Sequence, residues 1–328
     1  MKQVPVIICV DVEPDEHEID INLRSPWNGF IETYKLFSKL RPLLELAAHS
    51  PVRFSWFLRM DPQIEIGYGS STWVLDQYPE IFSDLQLKDD ELGLHVHATR
   101  WDKLTSRWIG DYGNQEWVAT CVKTAFNAYS KALQRSCKSV SFGDRWSNNE
   151  AIALAESLGA ESFLSLEPGA KPSGSELGYQ FDGEWPDYEN TPTDIHRAST
   201  ATGPLDQRKS DGHIWRIPLS TGKYEGSKTF RFWRVKRLAK ALGIDLQRHN
   251  ESTTLRLHIP PDVFRQTVEG LIRISNASYL SVVVRTDACS NPAQRSNLEC
   301  NIEYLRSHSQ LHGFKFTTPA ETIRLLNG

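Results

Sequence analysis

ELGLHVH, at residues 91–97, is an apolar run that ends in two histidines separated by a single valine. Side chains alternate between the two faces of a strand, so His95 and His97 share one face while Val96 points to the other. DVE, at residues 11–13, repeats this arrangement with two carboxylates. If the two strand ends meet, they bring two imidazoles and two carboxylates to one place, which is a ligand set for a transition metal.

The composition is that of a large globular chain. Its 328 residues are 39% hydrophobic, enough to bury a sizeable core, and we expect one barrel-like domain over residues 1–328 rather than two smaller ones. A formal net charge of -4 gives no indication of a nucleic-acid partner. The five cysteines are an odd number without C-x-x-C spacing, so we expect neither a disulfide framework nor a zinc knuckle.

The first residues predict the compartment. The apolar run VPVIICV at residues 4–10 turns acidic at once, which makes it too short for a signal peptide. No stretch reaches the roughly 18 to 20 apolar residues that a membrane-spanning helix requires. From these features we expect a cytoplasmic protein without a transmembrane segment.

Strand and helix patterns alternate along the chain. A continuous β-branched run predicts a strand buried on both faces at residues 4–10. Helical spacing at residues 30–49 predicts a helix that Pro42 kinks or breaks into two. The alternation predicts a mainly parallel sheet with helices outside. Further strands are predicted at residues 52–58, 91–97, 139–142, 162–166, 214–219, 253–258, 279–284 and 315–317, and further helices at residues 72–85, 115–133, 148–158, 230–242, 261–274, 291–307 and 319–326.

Three segments have a different character. Residues 101–113 are rich in Trp and Gly, which predicts a loop. Residues 167–213 are dense in Pro, Gly, Asp and Ser and predict an irregular excursion, either functional or an ordered insertion over the mouth of the barrel. The predicted helix at residues 230–242 is strongly basic. Its charges form either a solvated face or an edge for an anionic glycan, a nucleotide-diphosphate sugar or a membrane surface.

Three short segments occur in the order of a known family. VDVE at residues 10–13, ELGLHVH at residues 91–97 and FGDRWS at residues 142–147 resemble the motifs of the NodB-homology polysaccharide deacetylases, over about the first half of the chain. The resemblance implies an α/β fold, a distorted (β/α) barrel of about seven parallel strands with helices outside. It also implies a metal at the C-terminal mouth of the strands and hydrolysis of an N-acetyl group.

The sequence departs from the commonest form of these motifs. The first motif usually has two adjacent aspartates, but Val12 takes the second place, so Glu13 must substitute. The second histidine usually follows the first by four residues, where this chain has Thr99. His97 must then be the other imidazole, as in the divergent branch that reads Gly-Leu-His-x-His. The usual late histidine, a general acid, would fall near residues 285–287, which contain none.

The resemblance and the chemistry of amide hydrolysis together imply a set of roles. A divalent metal lowers the pKa of bound water to about 7 and polarises a carbonyl. We expect Glu13, His95 and His97 to bind the metal, with zinc as the first choice and cobalt, manganese, iron or nickel as alternatives. Asp11 would be the general base, although Asp11 and Glu13 could exchange roles. Arg145 would orient Asp11 and keep it ionised, or it would simply pair with an acidic loop residue.

Further residues are candidates for proton donation and substrate binding. Asp287 and His258 could replace the missing general acid; a helix cap is the alternative for Asp287, and a structural strand residue is the alternative for His258. Trp146, Asp61 and Trp101 are candidates for substrate binding, and Trp146 could instead be part of a packed wall.

The sequence therefore predicts a metal-dependent deacetylase acting on an N-acetylated sugar, a precursor of a surface polysaccharide or lipopolysaccharide. The substrate would be a carbohydrate or a nucleotide-sugar. Two alternatives stay open: a hydrolase of another small amide or ureide, and a barrel that binds carbohydrate without catalysis. An amidohydrolase-type barrel also uses His-x-His, but there the pair ends the first strand, whereas here it lies about a quarter of the way along the chain.

Overall fold

A mostly parallel sheet forms the centre of the fold, and its strand β1 is buried at all nine residues. The computed structural model describes residues 3–22, 24–171, 180–197, 213–225 and 250–327. The strands of this part of the chain are β1 (Val4–Val12), β2 (Ser55–Arg59), β3 (Glu91–Val96), β4 (Thr99–Asp102), β5 (Arg107–Asp111), β6 (Ser139–Phe142), β7 (Ser162–Phe163), β8 (Gln180–Asp182), β9 (His196–Arg197), β10 (Trp215–Arg216), β11 (Thr221–Glu225), β12 (Asn250–Thr254), β13 (Leu280–Arg285) and β14 (Phe314–Phe316).

The main sheet has the strand order β13-β1-β2-β3-β6-β7-β10-β9, and β14 pairs with the first residues of β1. Its pairs are parallel except for β9 with β10. Two smaller sheets accompany it, one of β4, β5 and β8 and one of β11 and β12. The main sheet curls into a half-barrel with helices around it, so the predicted fold class, a distorted (β/α) barrel, is confirmed.

The register of the strands brings their carboxyl ends to one edge. Asp11 of β1 lies beside Arg285 of β13, while Arg59 of β2 lies beside His95 of β3. His95 in turn lies beside Ser141 of β6. Strand β2 therefore separates the two predicted ligand strands, and its last residue stands between them. In open α/β sheets, ligands bind outside the carboxyl ends of the strands.

Helices pack around the sheet at most of the predicted positions. Pro42 lies inside the first helix without dividing it, so the predicted break into two helices is wrong. The preceding residue, Arg41, holds this helix to the sheet through an ion pair with Asp90. The helices are α1 (Asn28–Ala48), α2 (Pro62–Tyr68), α3 (Trp73–Gln77), α4 (Pro79–Leu87), α5 (Gln115–Leu133), α6 (Asn149–Ser157), α7 (Pro261–Glu269) continued by a π-helical turn (Gly270–Ile274), a 3-10 segment (Thr286–Ser290), α8 (Pro292–His312) and α9 (Pro319–Asn327).

Two further predictions of local structure need correction. The single helix predicted at residues 72–85 is two helices, because Pro79 begins α4 after α3 has ended. The loop predicted at residues 101–113 is a hairpin of β4 and β5. Trp101 pairs with Trp108 across this hairpin, with ring centroids 5.1 Å apart, and cross-strand aromatic pairs stabilise antiparallel strands.

Some predictions lie outside the described residues or stay open. The basic helix at residues 230–242 lies outside them entirely, as do parts of the excursion at residues 167–213. Within the described ranges, no helix has the length and apolar character needed to cross a membrane. The single domain and the cytoplasmic location stay predictions.

Candidate active site

The carboxyl ends of β1 and β3 bring together the three residues predicted to bind a metal. Glu13 Oε1 lies 3.1 Å from His95 Nε2 and 3.7 Å from His97 Nε2, and the two Nε2 atoms are 3.0 Å apart. All three side chains are buried. Ligand atoms that lie about 2.0–2.2 Å from one zinc ion are separated from each other by roughly 3–3.5 Å. These residues therefore fit a divalent cation.

Each histidine makes a contact through Nδ1 that directs its Nε2 atom toward Glu13. His95 Nδ1 lies 2.8 Å from the Ser141 hydroxyl, and His97 Nδ1 lies 3.2 Å from Asp144 Oδ2. Histidines that bind metals usually contact a carboxylate, a carbonyl or a water through the other ring nitrogen, which fixes the ring. Ser141 and Asp144, both contributed by β6 and the turn after it, supply such contacts here.

The environment of Glu13 favours its ionised form. Burial raises the pKa of this carboxyl, but Arg285 and the two histidines outweigh the effect, so its pKa lies well below the ordinary value. Glu13 Oε2 is buried, and among the described residues it has no hydrogen-bond partner. Arg285 Nη2 and Arg59 Nη1 lie 3.6 and 3.9 Å from it. A buried carboxylate that is not fully hydrogen-bonded needs another partner, and a cation would be one.

The turn after β6 is shaped around His97. A Cβ atom built on Gly143 would overlap the His97 imidazole, so only glycine fits there. Asp144 and Arg145 follow with φ angles of 57° and 56°, in the left-handed region. Such conformations cost about 1–3 kcal/mol each and occur often at functional sites. The backbone of the third sequence motif therefore supports the histidine of the second.

Asp11 lies beside this group. Its Oδ1 is 3.6 Å from His95 Nδ1, and its side chain lines the cavity at the mouth of the half-barrel. Burial raises the pKa of Asp11 to about 6, against the opposing effect of His95. Between the two carboxylates, Glu13 is the one whose oxygen faces both Nε2 atoms. Glu13 and Asp11 therefore differ in position, while their roles as metal ligand and general base stay predictions.

Arg145 pairs with an acidic loop residue, which is the alternative to its predicted role at Asp11. Its Nε lies 2.9 Å from Glu167 Oε2 rather than at Asp11. The guanidinium that acts on Asp11 is that of Arg285, which is paired with it in the sheet register and opposes the rise in its pKa. Arg285 also binds Asp287, with Nη2 2.9 Å from Oδ2. Burial raises the pKa of Asp287 despite this arginine.

The three residues predicted to bind substrate lie elsewhere. Asp61 is fully buried and paired with Arg59 at 2.6 Å, so its carboxylate is already engaged. Trp146 is buried against Tyr112, with ring centroids 4.8 Å apart, which makes it part of a packed wall. Trp101 packs on Trp108 in the hairpin. These placements correct the prediction, and none of the three lines the cavity.

The cavity has a volume of about 250 Å³ and an aromatic wall that the sequence did not single out. Trp185 lines it, half-buried, and stacks on Phe181 with ring centroids 4.1 Å apart. His258 also lines it, and burial lowers the pKa of this imidazole to about 4. The remaining charged lining residues, besides those at the histidines, are Arg145, Glu167, Arg256 and Arg285.

The chain matches known proteins in structure but not in sequence. No family model matches the chain, and no curated protein sequence matches it. A candidate glycoside hydrolase/deacetylase from Parabacteroides distasonis matches in structure with a TM-score of 0.54 at 12% identity, covering 99% of this chain and 71% of that chain. The chain shares the fold of that protein.

Two further structural neighbours are more distant. A candidate polysaccharide deacetylase from Mycobacterium smegmatis has a TM-score of 0.45 at 9% identity, covering 99% of this chain and 91% of that chain. Puue allantoinase has a TM-score of 0.47 at 12% identity, with coverage of 99% and 90%. The structural neighbours thus include one protein described as a polysaccharide deacetylase and one described as a glycoside hydrolase/deacetylase, both at low identity.

Sequence reasoning missed several residues of the site. Asp144 was quoted in the third motif without a role, yet its side chain contacts His97, His17 and the Tyr112 hydroxyl. Burial raises the pKa of Asp144, but His97 and His17 outweigh this effect and hold it well below the ordinary value. The signal was available, because Asp144 is a carboxylate two residues after the end of the buried strand β6. His17 lies in an irregular stretch and carried no such signal.

Proposed function

We propose that the protein is a metal-dependent deacetylase that removes an N-acetyl group from a sugar. The arrangement of Glu13, His95 and His97 supports the proposal most directly, because three buried ligand atoms converge at the carboxyl edge of the sheet, within reach of a cavity. The deacetylase descriptions of the structural neighbours agree with it at the level of fold. Zinc suits a set of two imidazoles and one carboxylate, which leaves positions open for water and substrate.

Glu13, His95 and His97 would hold the cation. When bound, a divalent cation lowers the pKa of a water molecule and polarises an amide carbonyl. Asp11 would accept the proton of the attacking water, since it lines the cavity next to His95 and is not one of the three converging ligands. Arg285 would keep both carboxylates ionised through its position between them.

The leaving amine needs a proton, and Asp287 is the residue we propose for it. Asp287 is paired with Arg285, which lines the cavity, and burial raises the pKa of its carboxyl. His258 lines the cavity, but its pKa of about 4 makes the imidazole neutral at pH 7. Asp287 would act beside Arg285, to which it is bound.

The cavity favours a small carbohydrate. Pockets for drug-sized ligands have volumes of roughly 300–1,000 Å³, and the volume here is about 250 Å³. One sugar ring with its acyl group therefore suits it better than a long oligosaccharide. The half-buried face of Trp185 would pack on that ring in place of the predicted Trp146. A precursor of a surface polysaccharide or lipopolysaccharide, including a nucleotide-sugar, meets this requirement.

Elemental analysis combined with acetate release tests the proposal. The purified protein should hold about one equivalent of a divalent metal and release acetate from at least one member of a panel of N-acetyl sugars. His95→Ala should lose the metal and lower the rate at least about 10³-fold, whereas His213→Ala, at an exposed position, should change neither. Unchanged metal content in His95→Ala would contradict the ligand assignment. Metal with a product other than acetate would instead identify a hydrolase of another amide, and sugar binding without turnover would identify a non-catalytic barrel.

A further inference from the structure

The cavity has a second charged group, which lies apart from the converging histidines. Glu167 is buried, and its carboxylate accepts a hydrogen bond from the Thr254 hydroxyl, 2.7 Å away. Arg145 Nε lies 2.9 Å from Glu167 Oε2, and Arg256 Nη2 lies 2.9 Å from Glu167 Oε1. One buried carboxylate therefore positions two guanidiniums on the cavity wall. We call Arg145, Glu167 and Arg256 the arginine fork.

The fork presents cationic surface to the cavity. The side chains of Arg145 and Arg256 are 32% and 29% exposed, and both line the cavity. Glu167 engages Arg256 through Nη2, and within the described residues Nε and Nη1 of Arg256 have no hydrogen-bond partner. A guanidinium is planar and carries five N–H donors, so an edge that remains available can bind a carboxylate or a phosphate through two parallel hydrogen bonds.

The charge of the whole cavity depends on whether a cation is bound. Four carboxylates line it, three of them grouped near the histidines, together with the three guanidiniums of Arg145, Arg256 and Arg285. Without a cation this lining carries one formal negative charge. With a divalent cation at the candidate centre it has a formal surplus of one positive charge. An anionic substituent would compensate this surplus.

We propose that the arginine fork is a subsite for an anionic group of the substrate, a carboxylate or a phosphate carried by the same sugar as the amide. Arg256 is its specificity-determining residue, and Glu167 positions it. The assignment of the amide and the charge surplus rest on the proposed function, whereas the guanidinium geometry of the fork does not. Recognition by a guanidinium that is already held in place loses less rotamer entropy than recognition by a flexible side chain.

Binding of simple sugars measures the subsite without turnover. Isothermal titration calorimetry with the protein as purified compares glucuronate, glucose 6-phosphate and glucose. At least one of the two anionic sugars should bind ten-fold or more tightly than glucose, and the stronger of them identifies the group as carboxylate or phosphate. Anionic sugars that bind no more tightly than glucose would overturn the proposal.

Substitutions assign that affinity to the fork. Arg256→Gln should weaken the anionic sugar at least ten-fold while leaving glucose unchanged, and Arg256→Lys should weaken it less, because it keeps the charge but loses the planar donors. Arg53→Gln is the matched control, since Arg53 also pairs with two carboxylates, Asp89 and Glu321, and is 26% exposed. It should bind like the parent. Unchanged anion affinity in both Arg256 variants would overturn the proposal.

A cation held by Glu13, His95 and His97 could bind the anionic sugar without the fork. His95→Ala, which should lose that cation, distinguishes the two explanations. If the anion preference persists in that variant, the fork carries it; if the preference disappears, the cation carries it and the proposal fails. Failure of the deacetylase proposal would look different, because acetate release would be absent while the Arg256-dependent binding remained. Thermal melting of each variant confirms that it is folded.

Discussion

Strand β3 carries ionisable side chains at both ends, and the two ends are built differently. At its amino end, Glu91 accepts a hydrogen bond from the Ser139 hydroxyl, which lies 2.7 Å from that of Ser162. At its carboxyl end, His95 and the following His97 face Glu13. At the amino end, serine hydroxyl groups of the neighbouring strands β6 and β7 form a hydrogen-bonded chain that ends at Glu91. The carboxyl end instead brings three potential ligands to one point.

The difference is one of hydrogen-bond satisfaction. Most buried polar atoms in folded proteins have a partner, and exceptions call for an explanation. At the carboxyl end, Glu13 Oε2 is buried without a hydrogen bond to any described residue. Such atoms raise the free energy of the folded state unless a ligand engages them. The Glu13 carboxylate thus retains an oxygen that a cation would engage, whereas the Glu91 carboxylate accepts a hydrogen bond from the Ser139 hydroxyl.

The largest effect should come from Gly143→Ala, which breaks the carboxyl end alone. The added methyl group would overlap the His97 imidazole and displace it from the converging ligands. We expect metal content to fall below detection and any metal-dependent rate to fall at least about 10³-fold. Elemental analysis and the acetate assay measure both. Gly270→Ala is the control, because the nearest atom to its added Cβ, Lys223 O, lies at 3.9 Å. Full metal content in Gly143→Ala would contradict the proposed ligand role of His97.

A smaller effect should come from Asp144→Asn, which removes a charge behind His97 while leaving the ligands in place. Substitution of such outer contacts typically weakens metal affinity 10–100-fold, and we expect a loss in that range. Competition with a chelator of known affinity measures it. Asp90→Asn is the counterpart at the amino end of β3, where Asp90 is buried and paired with Arg41. It should destabilise the fold and leave metal affinity unchanged. Equal metal affinities for the parent and Asp144→Asn would show that His97 is oriented without this carboxylate.

The histidine end of the cavity could be predicted from the sequence because it is encoded locally. His95 and His97 share a face through the two-residue period of a strand, and Asp11 and Glu13 do the same. Parallel strands then place their carboxyl ends at one edge, whichever strands lie between them. The difference in position between Asp11 and Glu13 required coordinates, since only they show which carboxylate oxygen faces both Nε2 atoms.

The arginine fork could not be predicted in this way. Arg145, Glu167 and Arg256 lie in turns and in short extended segments that have no period, and the last two are far apart in the sequence. The same limit explains why Trp146 was preferred to Trp185: an aromatic residue outside a periodic element gives no signal of whether it packs inward or lines a cavity. The hairpin at residues 99–111 was missed because the Trp and Gly content of this segment is also typical of a loop. The pairing of Trp101 with Trp108 across two strands is visible only in the structure.

The smallest effect concerns the amino end of β3 and should appear as a pH dependence of stability. Burial raises the pKa of Glu91 to about 7, against hydrogen bonds from Ser139 and Thr318 that lower it. The folded state therefore holds this proton more tightly than the unfolded chain, with its ordinary pKa of 4.5, so stability falls as pH rises from about 4.5 through 7. The glutamine of Glu91→Gln cannot ionise. Between pH 5 and pH 8 the free energy of unfolding of this variant should therefore fall by roughly 1–2 kcal/mol less than that of the parent. Urea unfolding at the two pH values measures the difference, with the exposed Glu161→Gln as control. The same pH dependence in the parent and Glu91→Gln would show that the hydrogen bond from Ser139 keeps Glu91 ionised. The two ends of β3 would then not differ in the way proposed.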